Sequence, residues 1–126
     1  MTWVLWLNTI VETIIAFGLF FASASLFPGA VGVSVAIART LSFATLAMAF
    51  VSFTATRPGT SPETVKNVVV ILIFYHVFQL IAQFLNGWLY PPLQIPPVLS
   101  HTVFCALFIV YLIKLNRATP SPLRSA

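Results

Sequence analysis

Four stretches of apolar residues, roughly Trp3–Phe27, Ala30–Phe53, Val68–Tyr90 and Val98–Leu115, occupy most of the chain. An α-helix needs about 20 residues to cross a hydrocarbon core of about 30 Å, and each stretch is close to that length. They are too long and too uniformly apolar to be strands of a membrane barrel, which take about ten residues of alternating polarity. They also leave little to cover a soluble surface. Of the 126 residues, 60% are hydrophobic and 6% charged, against about a quarter charged in a soluble domain. The sequence therefore predicts an all-α fold: an integral membrane four-helix antiparallel bundle. Residues 1–126 form a single transmembrane domain, and residues 116–126 are its cytoplasmic tail. A secretory signal has a basic start and a short apolar core. The first stretch instead is long and carries Glu12 at its middle, so it is expected to be retained.

The formal net charge of +4 is distributed in a way that points to topology. Arg57 and Lys66 lie between stretches two and three, and Lys114, Arg117 and Arg124 lie at or beyond the end of stretch four. In a four-span chain these regions share one side, and the other two connections contain no Lys or Arg. Basic residues collect on the cytoplasmic side, so both termini are expected there. The membrane would be a plasma or inner membrane, or the endoplasmic reticulum of a eukaryote. The same residues would meet lipid headgroups. Without aromatic residues interleaved among them or a recognisable binding motif, they do not indicate nucleic acid.

The connections carry turn chemistry. Phe27-Pro28-Gly29 reads as a tight turn. Ser61-Pro62-Glu63 reads as a helix start, with Ser as the cap, Pro at the first helical position and Glu favourable to the helix dipole. Tyr90 to Pro97, with four prolines, reads as a stiff loop lying on the membrane surface. Trp3, Trp6, Trp88 and Tyr90 flank the spans where amphipathic rings anchor. In the second stretch Ala36, Thr40, Ala44 and Ala47 recur at helical spacing, which suggests a central helix approached closely by its neighbours.

Ionisable residues within apolar spans are costly and mark a bundle interior, a partner or a water-filled cavity. Glu12 and Arg39 each fall near the midplane, at about 15 Å and about 14 Å from opposite sides, and His76 lies at about 12 Å, at 1.5 Å of rise per residue. Glu12 and Arg39 are expected to form a buried ion pair fixing helix register, with His76 in the same layer. His76, Gln79, Gln83 and Asn86 follow at steps of three, four and three, forming one polar stripe of the sort that glues helices. His101 falls at the depth of Gln83, which makes those two an expected outer pair. On this count His76 and His101 differ in depth by about 12 Å, unsuited to clamping one haem, although each could ligate a separate chlorophyll-type pigment. No cofactor and no metal are expected. Cys105 is the one cysteine and reads as a small packing residue. The chain has no Asp, no Ser-His-Asp set and no phosphate-binding glycine loop, so it is not expected to be an enzyme.

Asn8-Thr9, Ala38-Arg39-Thr40, and His76 followed by a polar stretch containing phenylalanine resemble the small four-helix membrane scaffold proteins of ergosterol biosynthesis. The chain is also loosely similar to the DoxX-like four-helix proteins. It departs from the first family at the acidic residue soon after the histidine, where it has Gln79 and Gln83. The resemblance implies a non-catalytic role and draws attention to Arg39 and His76. The expected function is a scaffold or accessory subunit of a larger membrane complex, whose partners are lipids and other integral membrane proteins. The alternatives are a small transporter, proton relay or lipophile-binding protein built on Glu12, Arg39 and His76, and then a pigment- or haem-binding subunit.

Overall fold

Ser61 starts the third helix as expected, because its Oγ accepts the backbone N–H of Thr64 at 3.1 Å and so satisfies a donor that the helix itself cannot. The computed structural model describes residues 1–22, 25, 32–85 and 91–118. Among the described residues all regular structure is helical: α1 Thr2–Phe21, α2 Val33–Thr54, α3 Pro62–Leu85 and α4 Pro91–Ala118. All four helices are long and apolar enough to cross a membrane. The Phe27-Pro28-Gly29 turn, Asn86, Trp88, Tyr90 and the tail beyond Ala118 lie outside the described residues.

The helices form two units, one spanning Thr2–Pro58 and the other running from Gly59 onward. In the first, α1 packs against α2; in the second, α3 packs against α4. Gly59 stands at a φ of 84°, a left-handed conformation open to glycine at no steric cost.

In hairpin one the partners run antiparallel. Ser52 Oγ donates to the Leu5 carbonyl at 2.9 Å, Thr9 Oγ1 reaches the Ala49 carbonyl at 3.4 Å, and Trp6 meets Phe53 edge-on at 5.6 Å. The buried face of α2 is Ala38, Ser42, Thr45, Ala49 and Ser52, small residues at alternating steps of four and three. These let the α1 backbone come close enough for hydroxyl-to-carbonyl bonds. The stripe singled out in the sequence lies elsewhere: Ala36, Thr40, Ala44 and Ala47 are all exposed. The two stripes interleave on one helix. Spacing alone names both faces equally, and the choice falls to the one whose Ser and Thr find carbonyls on α1.

In hairpin two Val68, Val69, Leu72 and His76 are buried on α3, and His101, Phe104, Phe108 and Tyr111 on α4. The fourth helix corrects the sequence reading. It begins at Pro91, so the proline-rich segment is its first turns and not a surface loop. Proline suits a helix start, where its missing N–H has no partner anyway. Pro96 and Pro97 fall inside the helix, a placement tolerated in spans where local adjustment meets the freed carbonyls.

Candidate functional site

The earlier start of α4 changes which residues meet. His101 lies ten residues into α4 and His76 nine residues before the end of α3, so both sit about 14–15 Å from that end of hairpin two. They are level, and the expected depth difference of about 12 Å does not exist. His76 Nδ1 and His101 Nδ1 are 2.8 Å apart, with both side chains buried. The expected pairing of His101 with Gln83 is replaced by this contact. Gln83 lies two turns nearer the end of the hairpin and, like Gln79, is half-buried.

Rings enclose the pair. His76 stacks on Phe104 at 5.3 Å and on Phe108 at 5.7 Å, one turn apart on α4. Tyr75 stands edge-on to His101 at 6.0 Å. The i, i+3 and i, i+7 spacing of His101, Phe104 and Phe108 puts all three on one face of α4. The sequence reading missed these aromatic residues. The signal that could have found them is the Pro91-Pro92 helix start, which sets His101 level with His76 and brings Phe104 and Phe108 with it.

The distance between the two Nδ1 atoms fixes the protons. Two bare lone pairs repel at 2.8 Å, so one ring donates Nδ1–H and the other accepts it. When both are neutral, the accepting ring carries its own proton on Nε2 and the donating ring has a bare Nε2. The neutral pair thus has one unprotonated and one protonated Nε2. Within hairpin two these imidazoles are the groups that could serve as metal ligands, since neutral imidazole nitrogen is a common ligand for zinc. Haem held from both faces needs axial nitrogens about 4 Å apart, at about 2 Å per bond, with iron between them. Nitrogens bonded to each other do not provide this.

The expected Glu12–Arg39 ion pair is also corrected. The contacts of Leu5, Trp6 and Thr9 set a register in which Glu12 lies level with Leu46 and Arg39 with Phe20. This separates the two by about 10 Å along the helix axis. Arg39 is exposed, and its guanidinium lies 5.8 Å from the centre of the Phe20 ring. Glu12 is buried on the same face of α1 as Asn8. Within hairpin one Arg39 is therefore parted from Glu12 and lies at the surface, and within hairpin two His76 meets His101. Comparison with family models, curated proteins and solved structures returned no match to the chain.

Proposed function

We propose that the chain is an integral membrane protein crossing the bilayer four times, with both termini in the cytoplasm, and that it serves as a non-catalytic scaffold or accessory subunit of a larger membrane assembly. The observation that carries this reading is the second small-residue stripe of α2. Ala36, Thr40, Ala44 and Ala47 are exposed, with Ile37, Leu41 and Phe43 exposed beside them. The Thr40 hydroxyl donates back to the Ala36 carbonyl at 3.0 Å, so the stripe is smooth and has no unmet donor. Small residues are what let one membrane helix approach another. The buried stripe of α2 serves α1; the exposed one is available to a helix of a partner protein. The resemblance of Asn8-Thr9 and Ala38-Arg39-Thr40 to a scaffold family supports the same role.

Co-purification from native membranes in mild detergent tests it. Ala44→Phe should release the partner while leaving the chain folded, and a His76→Asn chain that still folds should keep the assembly. An Ala44→Phe chain that keeps every partner would refute the reading. Orientation is tested separately by impermeant labelling of Ser61→Cys and Gln94→Cys in a Cys105→Ser background. Ser61→Cys should react only from the cytoplasm and Gln94→Cys only from outside.

The histidine pair favours a second reading, a proton relay. A proton arriving at the bare Nε2 of the donating ring would push the shared Nδ1 proton across to the other ring, which would release its own Nε2 proton. The rings then need only exchange tautomers to reset. Proton uptake into vesicles containing the purified chain, abolished by His76→Asn in a protein that still folds and assembles, would promote this reading over the scaffold.

A further inference from the structure

Hairpin one contains a crevice where the last turns of α1 meet α2. Its volume is ≈ 170 Å³. Ala16 and Ser42 form its floor, and Phe17, Phe20, Phe43 and Leu46 its walls. The one polar side chain among these, Ser42, spends its hydroxyl on the Arg39 carbonyl at 2.6 Å, so the crevice is apolar in effect. A cavity of about 150 Å³ lined by apolar side chains takes up benzene, so this one admits a short run of hydrocarbon but not a whole lipid.

Arg39 stands at the rim. It is one turn from Phe43, and its guanidinium lies over the Phe20 wall at 5.8 Å. Among the described residues that ring is its side-chain partner, and the side chain is exposed. A ring face satisfies the charge from one side and leaves the five N–H donors, which lie in the guanidinium plane, free to fork around an anion. The axial order matters. Arg39 is six residues into α2, about 9 Å, and a long cationic side chain at that depth reaches up to the headgroups. Phe43 and Leu46 follow one and two turns deeper. From the end of the hairpin inward the order is cation, aromatic wall, aliphatic wall.

We propose that this crevice binds an anionic glycerophospholipid, its phosphate on the Arg39 guanidinium and one acyl chain lying between Phe20 and Phe43 towards Leu46. The site rests on the reading that the chain spans a membrane. Charge complementarity selects the occupant. The phosphate of any glycerophospholipid can accept the paired N–H groups in the geometry arginine is built for, but a zwitterionic headgroup brings its own cation beside the guanidinium, whereas an anionic one brings none.

The test uses the full chain reconstituted in phosphatidylcholine vesicles with spin-labelled phosphatidylglycerol or spin-labelled phosphatidylcholine. The expected result is a motionally restricted phosphatidylglycerol population several-fold larger than that of phosphatidylcholine. Arg39→Gln should bring the two to equality, and Arg39→Lys should retain part of the preference. Leu46→Trp, which fills the crevice and keeps the cation, should reduce restriction of both lipids. Equal restriction of the two lipids by the unaltered chain would overturn the proposal. So would a preference that survives Arg39→Gln, or one untouched by Leu46→Trp. Loss of a co-purifying acidic protein on Arg39→Gln, with lipid preference unchanged, would assign the guanidinium to that protein instead. Failure of the unaltered chain to float with vesicles would instead refute the membrane reading itself.

Discussion

Between α1 and α2 the buried contact is made of small and hydroxylic side chains: Ala38, Ser42, Thr45, Ala49 and Ser52. Between α3 and α4 it is made of rings, with His76, His101, Phe104 and Phe108 at its centre. Two lipid-embedded helices gain nothing from the hydrophobic effect when they meet, because hydrocarbon is as apolar as leucine. On the proposed membrane reading both hairpins must therefore use packing and polar contacts, and they solve the problem differently. Hairpin one brings backbones close and divides its polar contacts between two hydroxyl-to-carbonyl bonds, from Ser52 and from Thr9. Hairpin two fills the space between its helices with rings and sets a histidine–histidine contact among them. The first arrangement shares its load between hydroxyls, and the second concentrates it on the His76–His101 contact and the rings around it.

That contrast makes the histidine pair the most sensitive point in the molecule. His76→Ala would leave a ring-sized cavity and strand the His101 Nδ1 in a buried setting, at a cost of about 3–5 kcal/mol in hairpin stability. Replacing both histidines by phenylalanine keeps the ring volume and removes both polar atoms, which can be nearly neutral. Reversible unfolding in mixed micelles, read as a double-mutant cycle over His76→Phe and His101→Phe, should show strong positive coupling. Additive single effects would mean that the 2.8 Å contact is incidental and that hairpin two is held by its phenylalanines alone.

Hairpin one should resist loss of polar atoms and respond to gain of volume. Ala49→Leu adds volume at a buried position of the α1–α2 contact, and overpacking of this sort costs about 1–3 kcal/mol. The same change at Ala44, on the exposed stripe, should leave the stability of the isolated chain within about 0.5 kcal/mol. Equal losses at the two positions would show that the exposed stripe is covered within the chain and is unavailable to a partner.

The number, type and approximate limits of the helices were legible because four apolar runs of span length admit few alternatives. The Ser61-Pro62-Glu63 start was legible for a local reason, since a cap is read within one turn. What escaped was everything that depends on register. A shift of the α4 start from Val98 to Pro91 is seven residues, about 10 Å of rise, and it decides whether His101 meets His76 or Gln83. Pro91 to Pro97 can be a rigid loop or the first turns of a helix, and composition does not distinguish them. The Glu12–Arg39 pair failed for a similar reason. Depth counted from each end located both residues near the midplane, yet a hairpin of small residues slides until its hydroxyls find carbonyls. That settled register leaves Arg39 level with Phe20.

Loss of single hydroxyls, a small expected effect, sharpens the comparison most. The Leu5 carbonyl accepts two hydroxyls, Ser52 Oγ from across the hairpin and Thr9 Oγ1 from its own helix, each at 2.9 Å. Thr9 Oγ1 also lies 3.4 Å from the Ala49 carbonyl, so it is shared between the helices. Removing the Ser52 hydroxyl alone leaves Leu5 served by Thr9, and Ser52→Ala should cost about 0.6 kcal/mol, the average for hydrogen bonds between membrane helices. Thr9→Val keeps the shape, removes the shared hydroxyl and should cost about as little. Together they take away both side-chain donors to the Leu5 carbonyl, and the double variant should lose more than the two singles combined. Such excess loss is the signature of redundancy, opposite in sign to the positive coupling expected at His76 and His101. Strict additivity at Ser52 and Thr9 would mean that hairpin one is held by backbone proximity alone, with its hydroxyls merely satisfied rather than cooperating.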